Sequence, residues 1–391
     1  MLLSISLMLL MGMFLGWVCK KLRLPSLLGM MFTGVILGPY VLNLIDESIL
    51  NISAELRRIA LIIILTRAGL TLNIHDLKKV GRPAILMCFI PASFEIIGMI
   101  ILAPKLFEVS VLEAAIMGSV VAAVSPAVIV PKMIRLIEEG YGVKKGIPQL
   151  ILAGASVDDV FVIVLFAAFT GLAQGERISV MSFVNIPVSI LLGILVGFLV
   201  GFIMARFFEK VHIRDTAKVI IMLSISFALV TLEDTITGVI TFSALISIMF
   251  IGIALQKYRK EASTRLSAKF NKLWVCAEIF LFVLVGATVD LHYVTGAAIA
   301  AILLLFGILC FRTLGVFLCL LHTELTLKER LFCMLAYMPK ATVQAAIGSV
   351  PLAMGLKCGN IVLTIAVMAI LITAPLGAFF IEATYKKLLK G

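Results

Sequence analysis

The chain has 391 residues, 62% of them hydrophobic and only 14% charged, well below the roughly 25% charged residues of soluble domains. Its mean hydropathy of +1.18 excludes a soluble globular protein and describes an integral membrane one. The net charge of +11 reflects where the basic loops fall, so nucleic acid is not an expected partner.

Thirteen apolar blocks follow one another, at about 2–19, 27–44, 57–73, 83–103, 111–131, 147–172, 187–208, 217–233, 238–256, 273–289, 296–321, 331–355 and 361–383. As helices they suit a hydrocarbon core of roughly 30 Å, and no interval between them could hold a soluble domain. The expected fold class is all-α integral membrane, with about 13 transmembrane helices and the termini on opposite sides. The first block lacks the basic start and cleavage site of a signal peptide and is read as a retained helix. Basic residues fix the orientation. KKLR at 20–23, HDLKKVGR at 75–82, the segments 132–145, 206–218, 257–272 and 328–330, and the tail after Tyr385 hold 25 of the 33 Lys and Arg. The alternating loops hold only Arg57, Arg58, Lys105, Arg177 and Lys357. By the positive-inside rule the N-terminus is outside and the C-terminus cytoplasmic, with Trp17 and Trp274 near the cytoplasmic interface. Basic loops such as 257–272 are expected to attract anionic lipid.

Three basic residues remain within or at the ends of spans. Arg67 is close enough to a helix end to snorkel. Arg312 is deep in its block and needs a carboxylate or a water-filled cavity. Lys340 directly follows Pro339. The acids at depth are Glu95 and the adjacent pair Asp158 and Asp159 in "GASVDDVFVIV"; Glu278 is nearer a helix end, and Glu113 and Glu382 can reach an interface. A lone Glu95 can stay protonated, but with Arg312 on offer an ion pair is the economical solution.

Pro126 in "AAVSPAVIVP" and Pro339 in "YMPKATVQAAIG" fall well inside blocks five and twelve. Proline removes a helical hydrogen bond and clashes with the preceding turn, so both helices are expected to be interrupted there. The two breaks fall at matching places of two halves related by inverted topology, about 1–172 and 217–383, with a linker helix at about 187–208. Broken helices at matching positions of an inverted repeat point to a transporter's midplane site. Lys340 could neutralise facing carbonyl ends, or snorkel. The hydroxyls of Ser125, Ser156 and Thr342 lie near the breaks or the aspartates, where each could bond its own backbone or touch an ion.

Together "AVSPAVIVPKMIRLIEEGYGVKKGIPQLILAGASVDDV", "ILTRAGLTL", "LFVLVGATVDL" and "MPKATVQAAIG" resemble the cation:proton antiporter superfamily, most closely its NHA-type sodium/proton antiporters, over essentially the whole chain. The resemblance implies a homodimer whose protomers have a dimerisation domain and a mobile core domain with two crossed discontinuous helices. The core maps to about 83–172 and 296–383, and the dimerisation domain to the remaining helices. By the same resemblance Asp159 is the principal ion-binding and proton-carrying residue and Asp158 its acidic neighbour. Glu95 and Arg312 are a structural ion pair, and Lys340 with Thr342 belong to the PKAT segment.

The chemistry of the residues agrees. A buried carboxylate can hold a proton or a small hard cation, and the two compete for the same oxygens. The expected function is exchange of Na⁺ or Li⁺ for H⁺ by alternating access, with Na⁺ held at Asp159 and Asp158. Because Arg312 stands where electrogenic relatives generally carry Lys, and Arg does not usefully release its proton, the expected exchange is electroneutral. A K⁺/H⁺ antiporter is the main alternative. A sodium-coupled organic-anion symporter of similar fold is opposed by the adjacent acidic pair, and a cation channel would lack coupled flux. An intramembrane aspartyl protease would need a GxGD-like motif that the sequence lacks. No enzyme activity and no cofactor are expected. The seven cysteines read as apolar fillers, and His75, His212, His292 and His322 as loop residues. A prokaryotic inner membrane is the expected location.

Overall fold

The computed structural model describes residues 1–22, 24–71, 81–173, 180–236, 242–289 and 291–390. Every regular element among them is helical. Nine stretches among the described residues are long and apolar enough to cross a membrane, from Leu2–Lys21 to Gly359–Leu388. Three other expected spans contain shorter apolar helices, Ser26–Leu37, Ala244–Tyr258 and Thr342–Ala353. The expected span at 57–73 falls on Ser53–Thr71, which carries Glu55, Arg57, Arg58 and Arg67.

The chain divides into two compact units. The smaller comprises 58–75 and 174–278. It holds most of α4 (Ser53–Thr71), together with α10 (Val180–Lys210), α11 (Asp215–Thr235), α12 (Ala244–Tyr258) and the greater part of α13 (Lys260–Ala287). Small residues let its backbones approach closely, as is usual between membrane helices. A Cβ on Gly197 of α10 would stand 2.3 Å from Ser247 O on α12, and one on Gly69 of α4 would stand 2.1 Å from Met249 O. The basic segment 257–272, expected as a loop, is helical from Lys260 onward. Its apolar residues recur every fourth position, Ala262, Leu266, Phe270 and Trp274, and all four are buried, so it has the stripe of a packed helix. Trp274 is one of the buried residues of this stripe. Arg67, expected to snorkel, is half-buried with Glu278 as its electrostatic partner.

The larger unit contains α1 (Leu2–Lys21), α2 (Ser26–Leu37) and α3 (Glu47–Asn51) at its start. It continues with α5 (Arg82–Met87), α6 (Ile90–Phe107), α7 (Val111–Val121), α8 (Pro126–Glu139) and α9 (Ile147–Ala173). It ends with α14 (Leu291–Cys319), α15 (Leu327–Ala336), α16 (Thr342–Ile347), α17 (Val350–Ala353) and α18 (Gly359–Leu388). Arg57, assigned above to an outer loop, is instead buried here, with hydrogen bonds to Ser53 O and Ser349 Oγ. The helix starts follow local chemistry. Ser110 and Glu113 form a capping box on α7, and Thr326 and Glu329 form one on α15. Gly140 ends α8 at φ 82, a left-handed conformation that favours glycine. Helices α6 and α14 lie close together because of two glycines. Gly98 leaves room for the Phe311 ring and Gly315 for Pro91. Each follows a charged residue by three positions, Glu95 and Arg312, so the close approach falls on the face that carries the charges.

Candidate functional site

Among the described residues of the larger unit, three helix breaks bring loose ends together around the buried charges. The first break separates α7 from α8 and leaves 122–125 non-helical. Pro126 has no N–H to offer the carbonyl four residues back, which is that of Ala122. That carbonyl accepts instead from Arg312 Nη1 and, at 3.2 Å, from Lys340 Nζ. The carbonyls of Val121 and Ala123 accept from Gln344 Nε2 at 2.9 and 2.8 Å. The Val124 N–H donates to Asp158 Oδ2 at 2.8 Å, and the Ser125 N–H donates to Pro339 O, also at 2.8 Å.

The second break, residues 337–341, lies between α15 and α16. Pro339 fits there because Gly377 of α18 has no side chain; a Cβ would stand 2.2 Å from Pro339 Cγ. The Lys340 N–H is held by Thr373 Oγ1 at 2.9 Å. A third break was missed in the sequence, where 83–103 reads as one span. Helix α5 ends at Met87 and α6 begins at Ile90, with Pro91 in its first turn. The carbonyl that Pro91 leaves without its helical donor is Met87 O, and Tyr337 Oη donates to it at 3.0 Å.

Charged groups fill the junction. Arg312 and Glu95 are both fully buried, with Nη1 2.6 Å from Glu95 Oε2. Arg312 Nε donates to Tyr337 O at 2.6 Å, and Nη2 lies 3.1 Å from Asp158 Oδ2. Lys340 Nζ shares Glu95 Oε2 at 2.6 Å. Glu95 and Asp158 are thus each matched to a cation. Asp159 is different: it is 8% exposed and, among the described residues, has no hydrogen bond or ion pair.

Several buried oxygens near these breaks have no hydrogen-bond partner among the described residues: Asp158 Oδ1, Asp159 Oδ1, Ser125 Oγ, Thr342 Oγ1 and Gln344 Oε1, besides Glu95 Oε1 within the ion-paired cluster. The hydroxyls of Ser125 and Thr342 make no hydrogen bond among the described residues, while Gln344, Arg312, Lys340 and Thr373 bond the backbone of the breaks. The side chain of Ser156 lies outside the described residues, as do His75 and the His292 side chain. A set made only of oxygens, two of them from carboxylates, suits a hard alkali cation.

A family model described as "Sodium/hydrogen exchanger, transmembrane" matches residues 5–387. The chain belongs to the sodium/hydrogen exchanger family. Human sodium/hydrogen exchanger 9B2 is 31% identical over 94% of this chain and 70% of its own length. Human sodium/hydrogen exchanger 9B1 is 31% identical over 94% of this chain and 73% of its own. Among solved structures, the sodium proton antiporter MjNhaP1 from Methanocaldococcus jannaschii at pH 8 shares the fold. It has a TM-score of 0.86 and 21% identity over 98% of this chain and 97% of its own. This exchanger is accordingly a multi-pass membrane protein of a transporter family.

Proposed function

We propose that the protein exchanges Na⁺ or Li⁺ for H⁺, one for one, by alternating access, with the two ions competing for Asp159. The observation that carries this reading is the uneven matching of charge at the junction. Glu95 and Asp158 accept from Arg312 and Lys340, while Asp159 accepts from nothing among the described residues. An uncompensated buried carboxylate costs on the order of several kcal/mol. A proton or a monovalent cation each removes that cost, and Asp159 has room for one at a time. Asp158 contributes its unpartnered Oδ1 to the cation, with Ser125 and Thr342 as neutral oxygen donors. The Glu95–Arg312 pair and Lys340 hold the breaks.

In the same reading the protein is a homodimer in a prokaryotic plasma membrane, with 13 spans, the N-terminus outside and the C-terminus cytoplasmic. A core domain at about 83–172 and 296–383 moves against a dimerisation domain made of the other helices, and the basic cytoplasmic segments face anionic lipid. The charge count along the sequence and the matching positions of Pro126 and Pro339 support this arrangement.

The test is purified protein in liposomes loaded with a pH-sensitive dye and challenged with Na⁺, Li⁺ or K⁺. Na⁺ and Li⁺ are expected to drive proton flux, and Asp159→Asn to reduce it to the level of empty liposomes. Flux near the wild-type rate in Asp159→Asn would overturn the role of this residue. Flux driven by K⁺ with Na⁺ inert would replace the sodium reading with potassium/proton exchange.

A further inference from the structure

Gln344, 1% exposed, is given no role in the proposed exchange beyond its unpartnered Oε1, yet its Nε2 is bonded to the first break at two points. Its amide orientation is forced. Carbonyl oxygens only accept, so the group within reach of Val121 O and Ala123 O must be the NH₂; turned over, Oε1 would face two carbonyl oxygens. The Ala123 carbonyl and the Val124 N–H belong to one peptide group. No peptide in the described chain is cis, so this C=O and N–H point to opposite sides. Gln344 therefore holds one edge of this peptide at 2.8 Å, and Asp158 Oδ2 holds the other at 2.8 Å. A peptide whose carbonyl is engaged is also a stronger donor at its N–H. On Asp158, Oδ2 takes both Val124 and Arg312, and Oδ1 is left with no partner.

We propose that Gln344 is a positioning residue for cation selectivity: by clamping the Ala123–Val124 peptide it anchors Asp158 through Oδ2 and fixes where Oδ1 stands beside Asp159. The proposal rests on the reading that the aspartates hold the transported cation. If Gln344 only capped the carbonyl end of α7, its loss would lower stability without changing which cation is preferred.

The experiment uses Gln344→Met, close in size and without hydrogen bonds, and Gln344→Glu, which keeps an acceptor and loses both donors. In proteoliposomes both are expected to raise the half-saturating Na⁺ concentration by about tenfold, the upper scale of one lost hydrogen bond between neutral groups. The Na⁺/Li⁺ preference should change by a factor of about three or more, and the maximal rate by less. Unchanged half-saturation and preference would overturn the proposal. So would a normal Gln344→Glu beside a defective Gln344→Met, because the amide oxygen would then be the working atom. Gln344→Asn reaches only one of the two carbonyls and should give an intermediate shift, which keeps the test open if the other variants fold poorly. Coupling to Asp158 is read from the rise in melting temperature that Na⁺ produces in detergent. In an Asp158→Ala background, Gln344→Met should change that rise no further, and an additional loss would overturn the clamp. Wild-type protein with no coupled flux would sink the exchange reading instead.

Discussion

Arg312 works because of the shape of its head group. One guanidinium reaches Glu95, Asp158 and the carbonyls of Tyr337 and Ala122 together, while its plane stands 5.0 Å from the Tyr337 ring. A lysine ammonium has no fork to span these directions. Buried pairs of this kind add little net stability, because both charges have been taken out of water, but removing one partner strands the other. Arg312→Met should therefore destabilise the protein by about 3–5 kcal/mol, read as a fall in melting temperature in detergent. The double variant Arg312→Met with Glu95→Gln should recover part of that loss. A single variant as stable as wild type would show that Lys340 alone satisfies Glu95 and that Asp158 does not need Arg312.

At the scale of elements, the junction is built from what proline takes away. Pro126 strips the helical donor from Ala122 O, and Arg312 and Lys340 supply new ones; Pro91 does the same to Met87 O, and Tyr337 supplies one. Gly377 admits Pro339, and the ring it faces is stiff, so Gly377→Ala cannot be relieved by a rotamer change. That substitution should cost about 1–3 kcal/mol and slow exchange, both measurable on the same purified sample; full activity would mean that α18 moves aside. The N-terminal end of α15 makes a pH-dependent contribution. Burial works against the Glu329 charge, but Lys145 at 2.8 Å and the Thr326 amide and hydroxyl outweigh it and hold the carboxyl below its usual range. A lowered value in the folded state means that this stabilisation is complete above about pH 4.3 and fades as pH falls through the folded value. Glu329→Gln should cost about 1–3 kcal/mol at neutral pH, and the gap from wild type should close on acidification. Two of the three breaks were legible in the sequence because Pro126 and Pro339 interrupt otherwise apolar runs. The third was not: Pro91 stands as deep in the 83–103 run as Pro339 does in its own, but the matching block 296–321 holds no proline, so no paired break drew attention to it. Glu95, Arg312 and Lys340 stood out as charges at depth, whereas Gln344 and Thr373 are neutral and are distinguished only by the backbone groups that the fold brings to them.

For the molecule as a whole, the consequence is electrical. The buried cluster holds two permanent matches, Arg312 and Lys340 against Glu95 and Asp158, plus Asp159. With a proton on Asp159 the formal charges cancel; with a monovalent cation there instead, they cancel again. A core that crosses between the two faces in either loaded state carries no net charge, and a core with Asp159 bare carries one uncompensated negative charge into low dielectric. On the proposed one-for-one exchange at Asp159, obligatory coupling and electroneutrality would have the same origin. Clamping the liposome potential at either sign should leave Na⁺-driven proton flux unchanged, although a single charge crossing the membrane would couple to it by about 2.3 kcal/mol per 100 mV. A rate that follows the imposed potential would show that one of the four matched groups changes protonation during the cycle. Lys340 would then be the group to examine, because its ammonium can release a proton as the cation enters, whereas the Arg312 guanidinium stays charged. Lys340→Arg would separate the cases: it should restore potential-independent flux if Lys340 were the group that titrates, and leave the wild-type electrical behaviour unchanged if the cluster is balanced as described.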